Sequence, residues 1–184
     1  MEAEKLKTFA DLELALQESD RLELINGQII KRPMARYEHG AVQLGLGTEL
    51  APYKKIKGPG GWWIASEINV KYSDHYCPCH DLAGWRKERV KDQPSGIMEL
   101  TPDWVCEITS PGHEKKDLLD NLKLLQKFKV PFYWIITPED RSLIAYKLID
   151  DHYVLIETID HADGRARIEP FLEIEFDLNY IFDN

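Results

Sequence analysis

Apolar and polar residues alternate along most of this chain, and the period of the alternation changes from segment to segment. In TFADLELALQ, residues 8–17, Phe9, Leu12, Leu14 and Leu16 fall at helical spacing behind a Thr8 that can cap the first turn. RLELINGQIIKRP then alternates around Asn26-Gly27, the strongest short signal for a hairpin. EHGAVQLGLGTELAPYKK, residues 38–55, predicts one helix with Ala41, Leu44, Leu46 and Leu50 inward. WWIASEINVKY, residues 62–72, predicts a long strand and DLAGW, residues 81–85, a short one, followed by the polar loop RKERVKDQPSG.

The stretch PDWVCEITSPG, residues 102–112, predicts a buried strand at 103–110 with a carboxylate, Glu107, in its middle. Ser110-Pro111-Gly112 stops it and turns the chain into a helix over about 113–129. The apolar side of that helix takes Leu118, Leu119, Leu122, Leu125 and Phe128; Lys116, Asp120, Lys123 and Lys127 fall opposite, toward water. PFYWIIT, residues 131–137, is a continuous apolar run of the kind found in central strands. SLIAYKL and HYVLIET flank Asp150-Asp151 as an antiparallel pair, and the amphipathic tail FLEIEFDLNYIF closes an edge or a face. Strand, helix and strand over 104–137 form a βαβ crossover, so its two strands are expected to be parallel. The expected fold class is α/β: a central mixed sheet flanked by helices.

At 184 residues the chain, 1–184, is expected to be one domain. A net charge of −9 argues against a protein that coats nucleic acid non-specifically, which would be basic. It does not argue against a nuclease, whose site clusters carboxylates around a divalent cation. No apolar run reaches the roughly 18 residues of a membrane span. MEAEKLKTFADLE has no apolar segment of a secretory signal, so a cytoplasmic location is expected. Cys77, Cys79 and Cys106 do not make a disulfide framework and are expected to be reduced.

Glu23, Glu67, Asp81 and Glu107 all lie in strand-like, partly apolar surroundings. Carboxylates are rarely buried there unless they are paired or bind metal. If the strands of Asp81 and Glu107 are neighbours, both side chains enter one pocket and form a hard oxygen site for Mg²⁺ or Mn²⁺.

HDLAGWRKER, PDWVCEITSP and VPFYWIITPEDRSLIAYKL together resemble a restriction endonuclease-like family, the Uma family, of the PD-(D/E)xK nuclease superfamily. The likeness runs from the LELINGQII hairpin to the AYKL…YVLIET strand pair. It implies a restriction endonuclease-like fold and metal-dependent hydrolysis of DNA phosphodiesters. It implies that Asp81 and Glu107 are the metal ligands and catalytic acids, and that Glu23 faces the same site, with Gln28 in place of a second acid. Such nucleases often pair to meet two strands, so a homodimer is an expectation of the resemblance and not of any residue. The chain departs from the pattern at several points. His80 stands where the family has proline, and Thr109 where the superfamily has lysine. In the family's helix pattern Asp117 matches, but Asn121 falls at the lysine and Leu125 at the tyrosine. Lys123 lies about 200° around the helix from Asn121 and is not expected to share its face, whereas Lys115 is nearer the correct half.

The same residues admit other readings. HYCPCHD with Cys106 offers soft zinc ligands at poor spacing. Ser110 has no G-x-S-x-G around it and is read as a turn residue, not a nucleophile. Trp62, Trp63, Trp85, Trp104 and Trp134 are expected to pack the core. Lys54, Lys55 and Lys57, with Arg86, Lys87 and Arg89, would gain meaning only by flanking the Asp81–Glu107 pocket. The leading hypothesis is a metal-dependent DNA endonuclease weakened by Asn121. The alternative is a catalytically inactive nuclease-fold module that binds nucleic acid or protein.

Overall fold

The computed structural model describes residues 5–58, 60–110 and 114–183, and of residues 114–118 the backbone alone. Helix α1 (Phe9–Leu16) starts on a capping box in which Thr8 and Asp11 satisfy each other's backbone N–H. Strands β1 (Leu22–Ile25) and β2 (Gln28–Lys31) pair antiparallel around Asn26 and Gly27. Both turn residues have positive φ, +49° and +73°, which matches the right-handed twist of the strands.

The single helix expected over 38–55 is two: α2 (Tyr37–Glu49) and α3 (Ala51–Lys55). Pro52 lies in the first turn of α3. Its missing N–H and its ring, which would meet the carbonyl four residues back, stop the first helix and start the second. The inward stripe is His39, Val42, Leu46 and Leu50; Leu44, expected inside, is 71% exposed.

The chain continues through β3 (Trp62–Asn69), β4 (Cys79–Arg86), β5 (Trp104–Ile108), helix α4 (Glu114–Lys127), β6 (Phe132–Thr137), β7 (Ser142–Ile149) and β8 (His152–Asp160). A hairpin, β9 (Arg165–Ile168) and β10 (Phe171–Asp177), and a short helix α5 (Leu178–Phe182) follow. Strands β3 to β8 form one six-stranded sheet in chain order. Only β5 and β6, joined by α4, run parallel; the other neighbours are antiparallel. The crossover expected from sequence is therefore present.

Alternation along β5 divides its side chains between two cores. Trp104, Cys106 and Ile108 face α2, α3, the β9–β10 hairpin and α5; Val105 faces the side on which Leu125 of α4 packs. The first core is aromatic: Phe171 stands 4.8–5.6 Å from Trp62, Trp104 and Trp134. The tail thus covers one sheet face. The tryptophans pack as expected, with Trp63 only partly buried. On α4, Leu124 and Leu125 are buried while Leu119 is 58% exposed, so the stripe lies rotated from the expected one; the side chain of Leu118 lies outside the described residues. Among the described residues no helix is long and apolar enough to cross a membrane.

Candidate metal centre

The β4–β5 ladder pairs Gly84 with Trp104, Ala83 with Val105 and Leu82 with Cys106, and then stops. The next pair would be Asp81 with Glu107. On the other edge of β4 the register passes from Ser66↔Leu82 to Ile68↔His80, omitting Glu67 opposite Asp81. Glu67 has φ +51°, a left-handed conformation unusual for a residue with a side chain. Asp81 is therefore the point at which backbone pairing lapses on both sides. Its own carboxylate fills part of the gap: Oδ2 accepts the Ile108 N–H at 2.8 Å. Residues with unusual backbone held in place by their surroundings cluster at functional sites.

Three acids, Glu67, Asp81 and Glu107, meet in this opening with two histidines and one arginine, and a fourth, Glu23, borders it. Arg32, just past β2, donates to Asp81 Oδ1 at 2.7 Å and to Glu67 Oε2 at 2.6 Å. His39 Nε2, from α2, lies 3.3 Å from Asp81 Oδ1. Gln43, one helical turn on, donates to the Asp81 carbonyl and to Glu67. Glu107 Oε1 lies 2.5 Å from His80 Nδ1, and the far side of that ring, Nε2, meets the Tyr72 hydroxyl at 2.9 Å. Glu107 Oε2 approaches the Asp81 N–H at 3.5 Å. Glu23 accepts from the Cys79 N–H at 3.3 Å. Glu23, Asp81 and Glu107, which the sequence reading placed in one site, all line one cavity of about 740 Å³.

The two central acids differ in charge behaviour. Burial pushes the Asp81 carboxyl up, but the His39 hydrogen bond and charge, the Ile108 N–H and Arg32 together outweigh it and hold Asp81 below the usual carboxylate range. Burial pushes Glu107 up, the charge of Asp81 adds to this, and the opposing pull of His80 is smaller, so Glu107 stands above its usual value. Paired carboxylates with separated affinities for the proton suit one ligand that stays ionised and one group that can take a proton.

Asn121 lines the same cavity, and so do Lys123, Leu124 and Lys127. Lys123 was expected on the far side of α4. The cavity is wide enough, and lysine long enough, for both arcs of the helix to border it. Lys115 and Asp117 have side chains outside the described residues. None of Lys54, Lys55, Lys57, Arg86, Lys87 or Arg89 lines this cavity. They gather at the other end of β4, where Lys87 Nζ donates to the carbonyls of Lys54 and Ile56, Arg86 covers the Trp62 ring and Arg89 pairs with Asp103.

The zinc reading of HYCPCHD finds no common centre. Cys77 packs with Leu12 and Leu24, Cys106 packs on the aromatic face, and His75 Nδ1 meets the Lys7 carbonyl. Burial pushes the Cys79 thiol up to about 12, and its sulfur is already taken by the Arg32 guanidinium at 3.0 Å. All three cysteines are free. Ser110 Oγ lies 3.5 Å from His39 Nδ1, a distance at the edge of hydrogen bonding.

Sequence reasoning missed Arg32 and His39. His39 carried a signal: with Val42 and Leu46 it marks an inward stripe at i, i+3 and i+7, and a histidine on such a stripe is a buried polar group needing a partner. Among the described residues, His39, Glu67 and Asp81 form a group whose ligand atoms all lie within 4.8 Å of one another.

The comparisons agree with this architecture. A crystal structure of "a putative nuclease belonging to DUF820 from Anabaena variabilis" superposes with a TM-score of 0.77 and 22% identity, over 96% of this chain and 97% of that one. At that identity the likeness speaks for the fold. No curated protein matches the chain. The family model Uma2, described as "Putative restriction endonuclease", matches residues 6–180, and since this is nearly the whole of it the chain belongs to that family.

Proposed function

We propose that this protein is an endonuclease that hydrolyses DNA phosphodiesters with a divalent cation, Mg²⁺ or Mn²⁺, centred on Asp81. The observation that carries the reading is the opening between β3, β4 and β5, where pairing lapses on both sides of Asp81 and acids fill the gap. The donor set fits a divalent cation: Asp81 and Glu67 carboxylate oxygens and the His39 imidazole lie within 4.8 Å of one another, and Glu107 borders them, its Oε2 3.5 Å from the Asp81 N–H. Oxygen donors suit Mg²⁺ and Mn²⁺, and an imidazole favours Mn²⁺ of the two. A bound ion would supply Lewis acidity and lower the pKa of a water.

The remaining work falls to side chains of this chain. Asp81, ionised and buried, would hold the ion. Glu107, pushed toward the protonated form and held by His80, is suited to accept a proton from the attacking water. Glu23 borders the pocket from the hairpin. Lys123 and Lys127 border the cavity from α4 and offer cations to the phosphate backbone, while Asn121 supplies none at its own position.

Nicking of supercoiled plasmid with Mn²⁺ or Mg²⁺ tests this. Wild type should nick and EDTA should stop it; Asp81→Asn and Glu107→Ala should lose roughly a hundredfold or more, the scale of a lost electrostatic group in a site. Wild-type activity that survives both substitutions overturns the proposal. Asn121 favours a second reading, a family member that holds metal and nucleic acid without cutting. Under that reading wild type does not nick, and Asn121→Lys gains activity if the missing cation is the only defect.

A further inference from the structure

Arg32 has no part in the metal reading, yet it occupies the middle of the site. It lies one residue beyond β2, with its side chain 15% exposed. One guanidinium nitrogen reaches Asp81 Oδ1 at 2.7 Å; the other reaches Glu67 Oε2 at 2.6 Å and the Cys79 sulfur at 3.0 Å. Asp81 and Glu67 are also two of the three groups whose donors lie close enough to share one ion. The arginine and a divalent cation therefore compete for the same oxygens.

An arginine cannot step aside by losing its proton, because guanidinium stays charged at any working pH. It can step aside only by moving. A dication placed on Asp81 and Glu67 would stand within a few ångströms of this charge, in a pocket where screening is weak. There is room for the movement: Arg32, Pro33 and Met34 line the cavity of about 740 Å³ that opens beside Asp81.

We infer that Arg32 is the resident cation of this site, holding Asp81 and Glu67 together until a divalent ion takes them and the arginine side chain swings off. This rests on the Asp81-centred metal site proposed above. In the absence of metal, Arg32 prevents three neighbouring acids from repelling one another. In its presence, the same arginine sets how much metal is needed. Affinity for the ion is the intrinsic affinity of the acids minus the cost of dislodging the guanidinium, and by reciprocity the ion loosens Arg32 to the same extent.

Mn²⁺ titration by calorimetry, without nucleic acid, compares wild type, Arg32→Met and Arg32→Lys. Arg32→Met keeps an unbranched apolar stem and removes the charge. It should bind Mn²⁺ roughly tenfold to a hundredfold more tightly, the usual range of coupling between two ligands. Arg32→Lys keeps the charge and should stay near wild type. Equal affinity in wild type and Arg32→Met overturns the inference and leaves the metal site standing; no binding in either variant overturns the metal site and the inference with it. A second measurement does not depend on Arg32→Met folding. In wild type, the ¹⁵N-guanidinium resonances of Arg32, assigned by their loss in Arg32→Lys, should shift and lose their slow-rotation signature as Mg²⁺ is added. Resonances that stay unchanged at saturating Mg²⁺ overturn the inference.

Discussion

Strands β4 and β5 are built differently at their two ends. At the Gly84–Trp104 end the ladder is intact and the side chains are apolar: Trp62, Trp104, Trp134 and Phe171 are all at most 2% exposed. At the Asp81–Glu107 end, three residues along, pairing has stopped and the same two strands present acids to a cavity. The first end resembles a molecular crystal, in which shape decides. At the second, each buried charge has a specific partner, and losing a partner costs more than losing volume. The rigid end holds the splay of the other fixed, so Asp81 and Glu107, which repel one another, stay at one cavity.

Four substitutions sharpen the contrast, and equilibrium urea unfolding reads each. Trp134→Ala should cost the most, about 3–5 kcal/mol, because a large ring packed against Trp104, Phe171 and Phe176 leaves a cavity. Asp81→Asn should cost about 3 kcal/mol, because Arg32 and His39 lose their shared anionic partner while half-dry. Gly84→Ala should cost about 1–2 kcal/mol: the added carbon would stand 3.1 Å from Trp62 and 3.2 Å from Trp104, both on wide rings with nowhere to go. Glu107→Gln should have the smallest effect and the opposite sign, a gain on the order of 1 kcal/mol or less at neutral pH. Its proton is held more tightly in the folded state than in the unfolded one, so the ionised acid opposes folding.

The pH dependence separates the two acids in the same way. The penalty from Glu107 grows as pH rises from 4.5, its ordinary value, through its higher folded value. The contribution of Asp81, whose folded value is lowered, is present above 3.8 and is lost as pH falls through that lower value. The His39–Asp81 pair adds stability that is complete below 6.5 and is lost as pH rises through the raised folded value of His39; burial lowers that value, but the hydrogen bond and charge of Asp81 together with the charge of Glu67 outweigh it. Wild type should therefore lose stability from pH 6.5 upward, and Asp81→Asn should lose less over that range. Equal slopes in the two proteins would count against the pair.

Much of this was legible in the chain, and the rest was not for identifiable reasons. The Asn26-Gly27 hairpin, the parallel pair across α4 and the buried tryptophans follow from local rules of turn chemistry and periodicity. Asp81 and Glu107 could be paired because each sits on a strand, and neighbouring strands bring such residues together. Arg32 could not be paired in this way. It meets Asp81 across 49 positions, through a hairpin whose docking onto the sheet has no local signature. The break at Pro52 was written in the residue itself, but the apolar spacing across it looked continuous. The rotation of α4 escaped because Leu118, Leu119, Leu122, Leu124, Leu125 and Phe128 leave more than one defensible apolar stripe.

The most direct test of the account is a crystal grown with Mn²⁺ and read by anomalous scattering. The account predicts one peak in the opening beside β4, about 2 Å from an Asp81 carboxylate oxygen, with the Arg32 guanidinium turned away from Asp81 and Glu67. A peak elsewhere on the molecule, or none at saturating Mn²⁺ with the Arg32–Asp81 pair still closed, would contradict it.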